Sequence, residues 1–365
     1  MGFSCGIVGL PNVGKSTLFN ALTETAAAQA ENYPFCTIEP NLGEVAVPDK
    51  RLEPIGALAK SAAIVPTRLA FVDIAGLVRG ASRGEGLGNQ FLANIREVDA
   101  IIHVVRCFSG SDVVHVTGTI APVDDIETIE TELMLADLES LERRIEPLEK
   151  RVRGGDAEAG ATLDLVRRAL ATLREGQPAR RIERKPEQEK NFRMLGLLTS
   201  KPVLYVCNVD EEHAADGNEF SRAVEVRARA EGAGCVLISA KIEAEIAVLS
   251  RAERGEYLAA HGLHEAGLDR LIRAGYALLH LVTFFTTGPR ETHAWTVTRG
   301  TRAPQAAGII HTDFERGFIR AEVVCAEDYI ALGGEVGARD AGKLRLEGKE
   351  YVVADGDVIH FRFAT

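Results

Sequence analysis

Short apolar runs rich in β-branched residues alternate with amphipathic, helix-like stretches over most of this chain. The runs lie at residues 5–9, 69–73, 100–107, 203–208 and 235–239. This alternation predicts an α/β fold, with a parallel sheet, crossover helices and functional loops at the carboxyl ends of the strands. Another strand at 43–47 is expected beside the run at 69–73.

A long helical pattern separates the third of these runs from the fourth. Its apolar residues recur at alternating spacings of four and three, the spacing of a heptad seam, at Met134, Leu138, Leu141, Ile145, Leu148 and Val152. The pattern breaks at 153–156 and resumes at Leu163, Val166, Leu170 and Leu173. It predicts an inserted antiparallel helical hairpin, either a stabilising insertion or an arm that contacts a partner. Positive charge for such a contact is available at its far base from Arg180, Arg181, Arg184 and Lys185.

From about residue 281 the pattern changes to short alternating strands and turns, which indicates a separate, small β-rich domain. We therefore predict a nucleotide-binding domain at 1–125 and 200–280, a helical arm at 126–199 and a third unit at 281–365. Basic side chains in the last unit outnumber their acidic neighbours and hint at an RNA-facing patch: Arg299, Arg302, Arg316, Arg320 and His311.

Composition narrows the classes of protein that this chain can represent. The 365 residues carry a net charge of −11, which argues against nucleic-acid coating over the whole surface. No apolar stretch reaches the roughly 18 residues of a membrane span, and a strand begins too early for a signal peptide. The six cysteines show no C-x-x-C spacing. We expect a cytoplasmic protein without a membrane partner.

The strongest chemical signal is the string Gly-Leu-Pro-Asn-Val-Gly-Lys-Ser at residues 9–16, which fits the phosphate-loop pattern G-x-x-x-x-G-K-[ST]. An apolar run precedes it and a helix-like run follows it, as the motif requires. Glycines let successive backbone N–H groups point at phosphate oxygens, next to the positive end of a helix. The sequence predicts a nucleoside triphosphate bound by Asn12, Val13, Gly14, Lys15, Ser16 and Thr17.

Three further positions fit the chemistry of a magnesium–triphosphate complex. Asp73 ends an apolar strand, and with the hydroxyls of Ser16 and Thr37 it is expected to hold Mg²⁺. Gly76 lets its backbone N–H approach the terminal phosphate. The glycine-rich run at 80–89 that follows is expected to act as a switch that orders on the γ-phosphate.

Together these motifs resemble the Obg-like family of P-loop ATPases associated with translation. The resemblance rests on the phosphate loop, residues 33–40, Asp-Ile-Ala-Gly at 73–76 and Gly-Leu-Gly-Asn-Gln-Phe-Leu at 86–92, and it extends over the whole chain. It implies a Ras-like P-loop NTPase domain with an inserted helical hairpin. Residues 303–314 look like part of that family's TGS domain, a ubiquitin-like β-grasp unit. Binding to the ribosome, through its large subunit, is likewise implied by the family.

The base that is bound depends on residues 208–211, Asn-Val-Asp-Glu. GTPases of this class have Asn-Lys-x-Asp, whose aspartate accepts two hydrogen bonds from guanine. Here Val209 replaces the lysine and Glu211 stands in place of the aspartate, a form that matches the ATP-preferring members of the family. Asn208 is expected to read adenine through its amide, while Asp210, one residue early, leaves some guanine binding open. Ser239 and Ala240 resemble the loop that closes over the base.

The group that promotes hydrolysis is less directly indicated. Leu77 occupies the position at which many relatives have a water-orienting glutamine, and an apolar side chain predicts slow turnover. By resemblance, His115 serves instead, acting with Lys15 and Gly76. Asn12 resembles an asparagine that holds K⁺ in some phosphate-loop enzymes. The expected function is a slow Mg²⁺-dependent ATPase switch; a GTPase of the same fold and a nucleotide-stabilised scaffold are the alternatives.

Overall fold

The computed structural model describes residues 3–30, 41–74, 87–109 and 120–364. Three predicted site residues, Thr37, Gly76 and His115, lie outside the described residues, as does Leu77. The other predicted site residues all lie within them.

The strands and α-helices follow the alternation read from the sequence. The strands are β1 Ser4–Val8, β2 Leu42–Ala46, β3 Ala63–Val65, β4 Arg68–Asp73, β5 Ala100–Arg106, β6 Val203–Asn208, β7 Gly234–Ile238, β8 Leu281–Thr287, β9 Glu291–Thr298, β10 Phe318–Cys325, β11 Arg345–Glu347 and β12 Asp357–Phe363. The helices are α1 Lys15–Ala30, α2 Leu52–Ala59, α3 Leu87–Glu97, α4 Pro122–Arg153, α5 Ala157–Arg174, α6 Glu189–Met194, α7 Glu219–Glu231, α8 Ala240–Ala247, α9 Arg251–Ala260, α10 Gly267–Leu278, α11 Ala303–Ile310, α12 Thr312–Arg316, α13 Ala326–Ala331 and α14 Glu335–Asp340.

The first sheet has the strand order β2-β4-β1-β5-β6-β7. Strands β4, β1, β5, β6 and β7 are parallel, whereas β2 pairs antiparallel with β4, Leu42 lying opposite Val72. Every residue of β5 is buried, as expected for a central parallel strand covered by helices on both faces. The predicted α/β class is confirmed, and so is the extra strand beside the run at 69–73.

The carboxyl ends of the parallel strands lie along one edge of this sheet. The glycine loop follows β1, Asp73 ends β4, Asn208 ends β6 and Ser239 follows β7. Positions that are up to 230 residues apart in sequence therefore share one site.

The inserted hairpin consists of α4 and α5, joined by a tight turn. Asp156 caps α5 by accepting a hydrogen bond from the backbone N–H of Ala159. The two helices bury a common core that contains most of the predicted seam positions, including Leu141, Leu148, Leu163, Val166, Leu170 and Leu173. The predicted helical insertion is confirmed, and α4 continues through Pro147.

The hairpin begins inside the nucleotide domain and is anchored there. Ile126, Ile129 and Leu133 of α4 belong to the core of the first sheet, so that the free part of the arm starts about three turns after residue 126. Where the arm meets the nucleotide domain, the Asp137 carboxylate accepts hydrogen bonds of 2.8 Å from the backbone N–H groups of Leu198 and Thr199. The two ends of the insertion are thereby held together.

The second sheet has the order β11-β10-β12-β8-β9-β3. Its edge strand β3 comes from residues 63–65, more than two hundred residues before β8, and pairs parallel with β9. One face packs on α11, and the other packs on α2, where Ile55 and Phe285 are completely buried. The predicted unit at 281–365 is therefore completed by a strand and a helix from the first part of the chain, a contribution that the sequence boundaries did not include.

Candidate nucleotide-binding site

The loop between β1 and α1 has a backbone that few residue types can adopt. Gly14 has a φ of +89° and Asn12 a φ of +62°, in the left-handed region that glycine adopts freely and asparagine tolerates. A Cβ at Gly9 would lie 2.7 Å from the carbonyl oxygen of Val104, so the loop also passes very close to β5. Both glycines of the motif are thus required by the path of the chain.

Lys15 and Asp73 meet in this structure, although 58 residues separate them. Lys15 begins α1, Asp73 ends β4, and β4 pairs with β1. The Lys15 Nζ lies 2.6 Å from Asp73 Oδ1, and the lysine side chain is buried. The predicted phosphate-binding cation and the predicted magnesium ligand therefore share one location.

The groups around this pair fit a magnesium–nucleotide complex. Ser16 and Thr17 follow Lys15 in the first turn of α1, and both are exposed, so a ligand can reach their hydroxyls. Hydroxyl and carboxylate oxygens are ligands that Mg²⁺ prefers, with phosphate oxygens completing its shell.

Asn208 joins the glycine loop to the loop after β7. Its Nδ2 donates to the carbonyl of Val13 at 2.8 Å, and its Oδ1 accepts from the backbone N–H of Ala240 at 2.9 Å. We expected this amide to read adenine. Because both of its polar atoms are engaged by backbone groups, the contacts support a positioning role instead. They also occupy the Ala240 N–H, one of the groups expected to face the base.

The two acidic residues after Asn208 are also engaged. Asp210 accepts the backbone N–H of His213 at 3.1 Å and contacts the His213 ring, capping a short 3-10 turn at residues 211–213. The Glu211 carboxylate forms an ion pair with Lys241, and this contact lowers the pKa of Glu211 below its usual value. Neither carboxylate is arranged as a free acceptor for two guanine donors.

Beside the base loop, the structure shows the surroundings of two predicted residues, Val209 and Ser239, and adds Glu243, which was not predicted from the sequence. Val209 is buried, and the buried Ser239 hydroxyl has no hydrogen-bond partner among the described residues, which leaves a polar atom for a ligand. Glu243, buried in α8, accepts hydrogen bonds from the backbone N–H groups of Gly267 and Leu268 at the start of α10. Burial raises the pKa of Glu243 to about 7. Its position follows from helix packing, for which the sequence carries no local signal.

Arg106, at the end of β5, is a second residue that the sequence reading missed. It is buried, its Nε donates to the carbonyl of Phe108 at 3.2 Å, and its guanidinium lies 4.6 Å from the centre of the Phe108 ring. Burial lowers the pKa of Arg106, while the charge of Asp125 opposes that shift. In the sequence, the indication was an arginine at the end of an otherwise apolar run. In the structure, its contacts hold Phe108, the second residue after β5.

The arginines at the base of the arm are largely used within the chain. Arg180 pairs with Glu130 and with Glu231, the latter at 3.2 Å, and Arg227 pairs with the same two glutamates. Tyr205 donates to Glu231 at 2.9 Å. The expectation that Arg180 offers charge to a partner is wrong, because its guanidinium forms ion pairs that hold the arm to the nucleotide domain.

The remaining basic residues at that base are partly used as well. Arg184 pairs with Glu189 at 2.8 Å and lies over the Phe192 ring, and Arg181 donates to the side chain of Gln177. Lys185 forms no ion pair among the described residues. The base of the arm is therefore less cationic than its sequence indicates.

A parallel sheet, a glycine loop leading into α1, a lysine at the start of that helix and an aspartate ending the neighbouring strand define a P-loop NTPase. Two family models match the chain in agreement with this class. The model of the 50S ribosome-binding GTPases matches residues 4–144. A model named YchF-GTPase_C, described as a protein of unknown function, matches residues 281–364.

Curated relatives identify the family more closely. The chain is 56% identical to the ribosome-binding ATPase YchF of Haemophilus influenzae, over 100% of this chain and 99% of the relative. It is 54% identical to the protein of that name from Bacillus subtilis, over the full length of both chains. The solved structure of the Schizosaccharomyces pombe YchF GTPase matches with a TM-score of 0.89 and 35% identity, covering 99% of this chain and 98% of the other.

This chain belongs to the YchF family of P-loop NTPases. The resemblance inferred from the motifs is confirmed, as is the architecture of a P-loop domain with a helical insertion and a C-terminal β domain. Among the described residues, no helix is both long and apolar enough to cross a membrane.

Proposed function

We propose that this protein is a slow, Mg²⁺-dependent ATPase that binds the ribosome and acts as a nucleotide-controlled switch in translation or the stress response. The observation that carries this proposal is the arrangement of the base loop, in which Asp210 caps a turn and Glu211 is paired with Lys241. A guanine-specific clamp is not formed there. Full-length relatives named ribosome-binding ATPases support the same function.

The residues predicted to bind the phosphates and the metal ion and to promote hydrolysis each have a role in this proposal. Lys15 and the loop N–H groups hold the phosphates, and Ser16, Thr37 and Asp73 hold the metal ion. Bound Mg²⁺ supplies charge neutralisation on the phosphate oxygens. Gly76 couples the terminal phosphate to the switch segment, and His115 positions the attacking water in place of the glutamine replaced by Leu77.

The preference for adenine follows from how each base pairs with this site. Guanine presents two donors, its N1–H and its 2-amino group, which need a free carboxylate. Here Glu211 is bound by Lys241 and Asp210 by the turn, so these donors stay unpaired at a cost of about 1–3 kcal/mol. Adenine has no 2-amino group and loses nothing comparable. Asp210 is also less able to restore guanine binding than its sequence position indicated.

Dissociation constants for ATP and GTP, measured side by side by calorimetry with Mg²⁺, test this proposal directly. We expect ATP to bind at least about fivefold more tightly, because one unpaired buried group is worth about 1–3 kcal/mol. If GTP binds tenfold more tightly than ATP, the protein is a GTPase of the same fold and the base argument is wrong.

Single-turnover hydrolysis of ATP, alone and with ribosomes, separates an enzyme from a nucleotide-stabilised scaffold. We expect slow cleavage that His115→Ala slows further without weakening ATP binding, and a higher rate in K⁺ than in Na⁺ if Asn12 holds K⁺. Cleavage that is undetectable in both conditions would favour the scaffold. An unchanged rate in the histidine variant would remove His115 from the mechanism.

We also infer a cytoplasmic location and a binding site on the large ribosomal subunit. RNA contacts through the C-terminal domain and the helical arm are part of this proposal. Among the arginines noted at first, Arg302 pairs with Glu350, whereas Arg299 and Arg316 form no ion pair with described residues. These two are the better candidates for an RNA contact.

A further inference from the structure

A groove of about 1200 Å³ lies where the C-terminal sheet meets the edge of the nucleotide domain. The groove is lined by the paired strands β3 and β9, by the residues that follow β3 up to Arg68, by Gln305 and Ile309 of α11, and by Phe3. Ile309 is 55% exposed, which leaves an apolar side chain open at the groove. The groove is distinct from the nucleotide site, since it contains none of the phosphate-loop or base-loop residues.

An aromatic pair lies within this groove. Trp295 is the only tryptophan of the chain, and its ring stacks on that of His293 with 3.8 Å between centres and 11° between planes. Its Nε1 donates to the Thr286 hydroxyl at 2.8 Å, which holds the ring in place. Both rings are only partly buried. A fixed, partly exposed aromatic stack is suited to a planar ligand, because every nucleobase has a π face that can extend it.

Positive charge lies where the groove meets a second cleft. Arg299 lines this groove and also the second cleft, itself about 1200 Å³, which Lys50 lines as well. Neither side chain forms an ion pair within the described part of the chain. Several acidic groups of the second cleft are already paired: Asp49 and Asp355 with Arg51, and Glu265 with Arg273. The two cations are thus available to phosphates.

We propose that this groove binds single-stranded RNA, with one base extending the Trp295–His293 stack and the adjoining phosphates facing Arg299 and Lys50. The inference rests on the proposed ribosome-binding function and identifies the groove in which the C-terminal domain contacts RNA. An aromatic platform combined with unpaired cations is the pattern of sequence-tolerant single-strand binding. An apolar peptide would match the aromatic pair and Ile309 but would leave both cations without a partner.

Because Trp295 is the single tryptophan, its fluorescence reports directly on ligand binding in the groove. Titration of the ATP-bound full chain with a ten-nucleotide RNA in low KCl is expected to quench the tryptophan fluorescence. Anisotropy of a labelled RNA should give the same affinity. Trp295→Leu should weaken binding at least about fivefold, since stacking on one aromatic is worth that much or more per base. Should that variant misfold by circular dichroism, His293→Ala removes the stack and keeps the fluorophore.

The charge contribution has a matched control in the same domain. Arg299→Gln is expected to weaken binding and to lower the slope of log K against log[KCl] by about 0.7, the value for one phosphate contact of a single strand. Lys349→Gln, which changes an exposed basic residue of the same domain outside the groove, should leave both quantities unchanged. Equal effects of the two variants would overturn the proposal, as would RNA binding that neither quenches Trp295 nor responds to its replacement.

Cosedimentation with ribosomes separates this inference from the proposed function. Ribosome binding by the wild type, with no RNA quenching and no effect of Trp295→Leu, would overturn the groove assignment alone. Absence of ribosome binding would overturn the proposed function itself. Quenching by ribosomal proteins but not by RNA would identify the groove as a peptide site and so reject our assignment.

Discussion

Gly14→Ala is expected to raise the dissociation constant for ATP by at least about thirtyfold. A methyl group at this position would lie 2.2 Å from the Nδ2 of Asn208, and the φ of +89° is strained for any side chain. The strain costs about 1–2 kcal/mol. Displacing Asn208 breaks its bond to the Val13 carbonyl and costs about 1–3 kcal/mol more. At about 1.4 kcal/mol per tenfold, the smaller values together correspond to the stated change.

The measurement is calorimetric titration with ATP and Mg²⁺, and Gly160→Ala provides the matched control. Gly160 lies in α5, and no described atom outside its own helical turn lies within 4 Å of an added Cβ. Alanine there should stabilise the helix by about 0.5–1 kcal/mol and leave ATP affinity unchanged. An affinity of the Gly14 variant within threefold of the wild type would show that Asn208 does not brace the phosphate loop.

Glu231→Ala is expected to lower the free energy of unfolding by about 3–5 kcal/mol, the usual cost of removing one partner from a buried ion pair. The Glu231 carboxylate is 3% exposed and contacts Arg180, Arg227 and Tyr205. Burial alone would raise the pKa of Glu231, but these hydrogen bonds and charges hold it below the usual value. Without the carboxylate, two arginines at the base of the arm keep only their partners on α4.

Glu225→Ala, on the same helix α7, is the control. Glu225 pairs with Arg229 one turn away on an exposed surface, where such a pair contributes about 0.2–0.5 kcal/mol. Urea denaturation followed by circular dichroism should show a large decrease in the urea concentration at the midpoint of unfolding for Glu231→Ala. The midpoint should hardly change for Glu225→Ala. Equal shifts would mean that the buried network does not anchor the arm.

Much of this protein could be predicted from its sequence because the relevant signals are local. The phosphate loop is a continuous string whose spacing alone places Gly14, Lys15 and Ser16. Apolar, β-branched runs predict the parallel strands, and the heptad spacing predicts the helical arm. The sequence predicts Asn208 and Glu211 at the end of a strand but not the residues that they contact, since a contacting residue can lie anywhere in the chain.

The contributions that escaped prediction all depend on long-range packing. Strand β3 is three residues long, and nothing nearby indicates that it completes a sheet formed mainly after residue 281. Arg180 reads as a surface charge, yet its glutamate partners stand 50 residues before it and 51 after it. The sequence therefore indicates a cationic surface at the base of the arm, whereas the structure shows a network of ion pairs within the chain.

By itself, the sequence determined that this chain binds a nucleoside triphosphate, because the phosphate loop acts through its own backbone and needs no distant partner. It also determined the α/β class, the helical insertion and the family. Only the tertiary structure decided that Asn208 braces the loop, that Glu211 is taken up by Lys241, and that Trp295 lies in an open groove beside Arg299. Those contacts form when strands and helices pack against each other. Packing brings together residues that are far apart in the sequence, and no local pattern predicts which of them will meet.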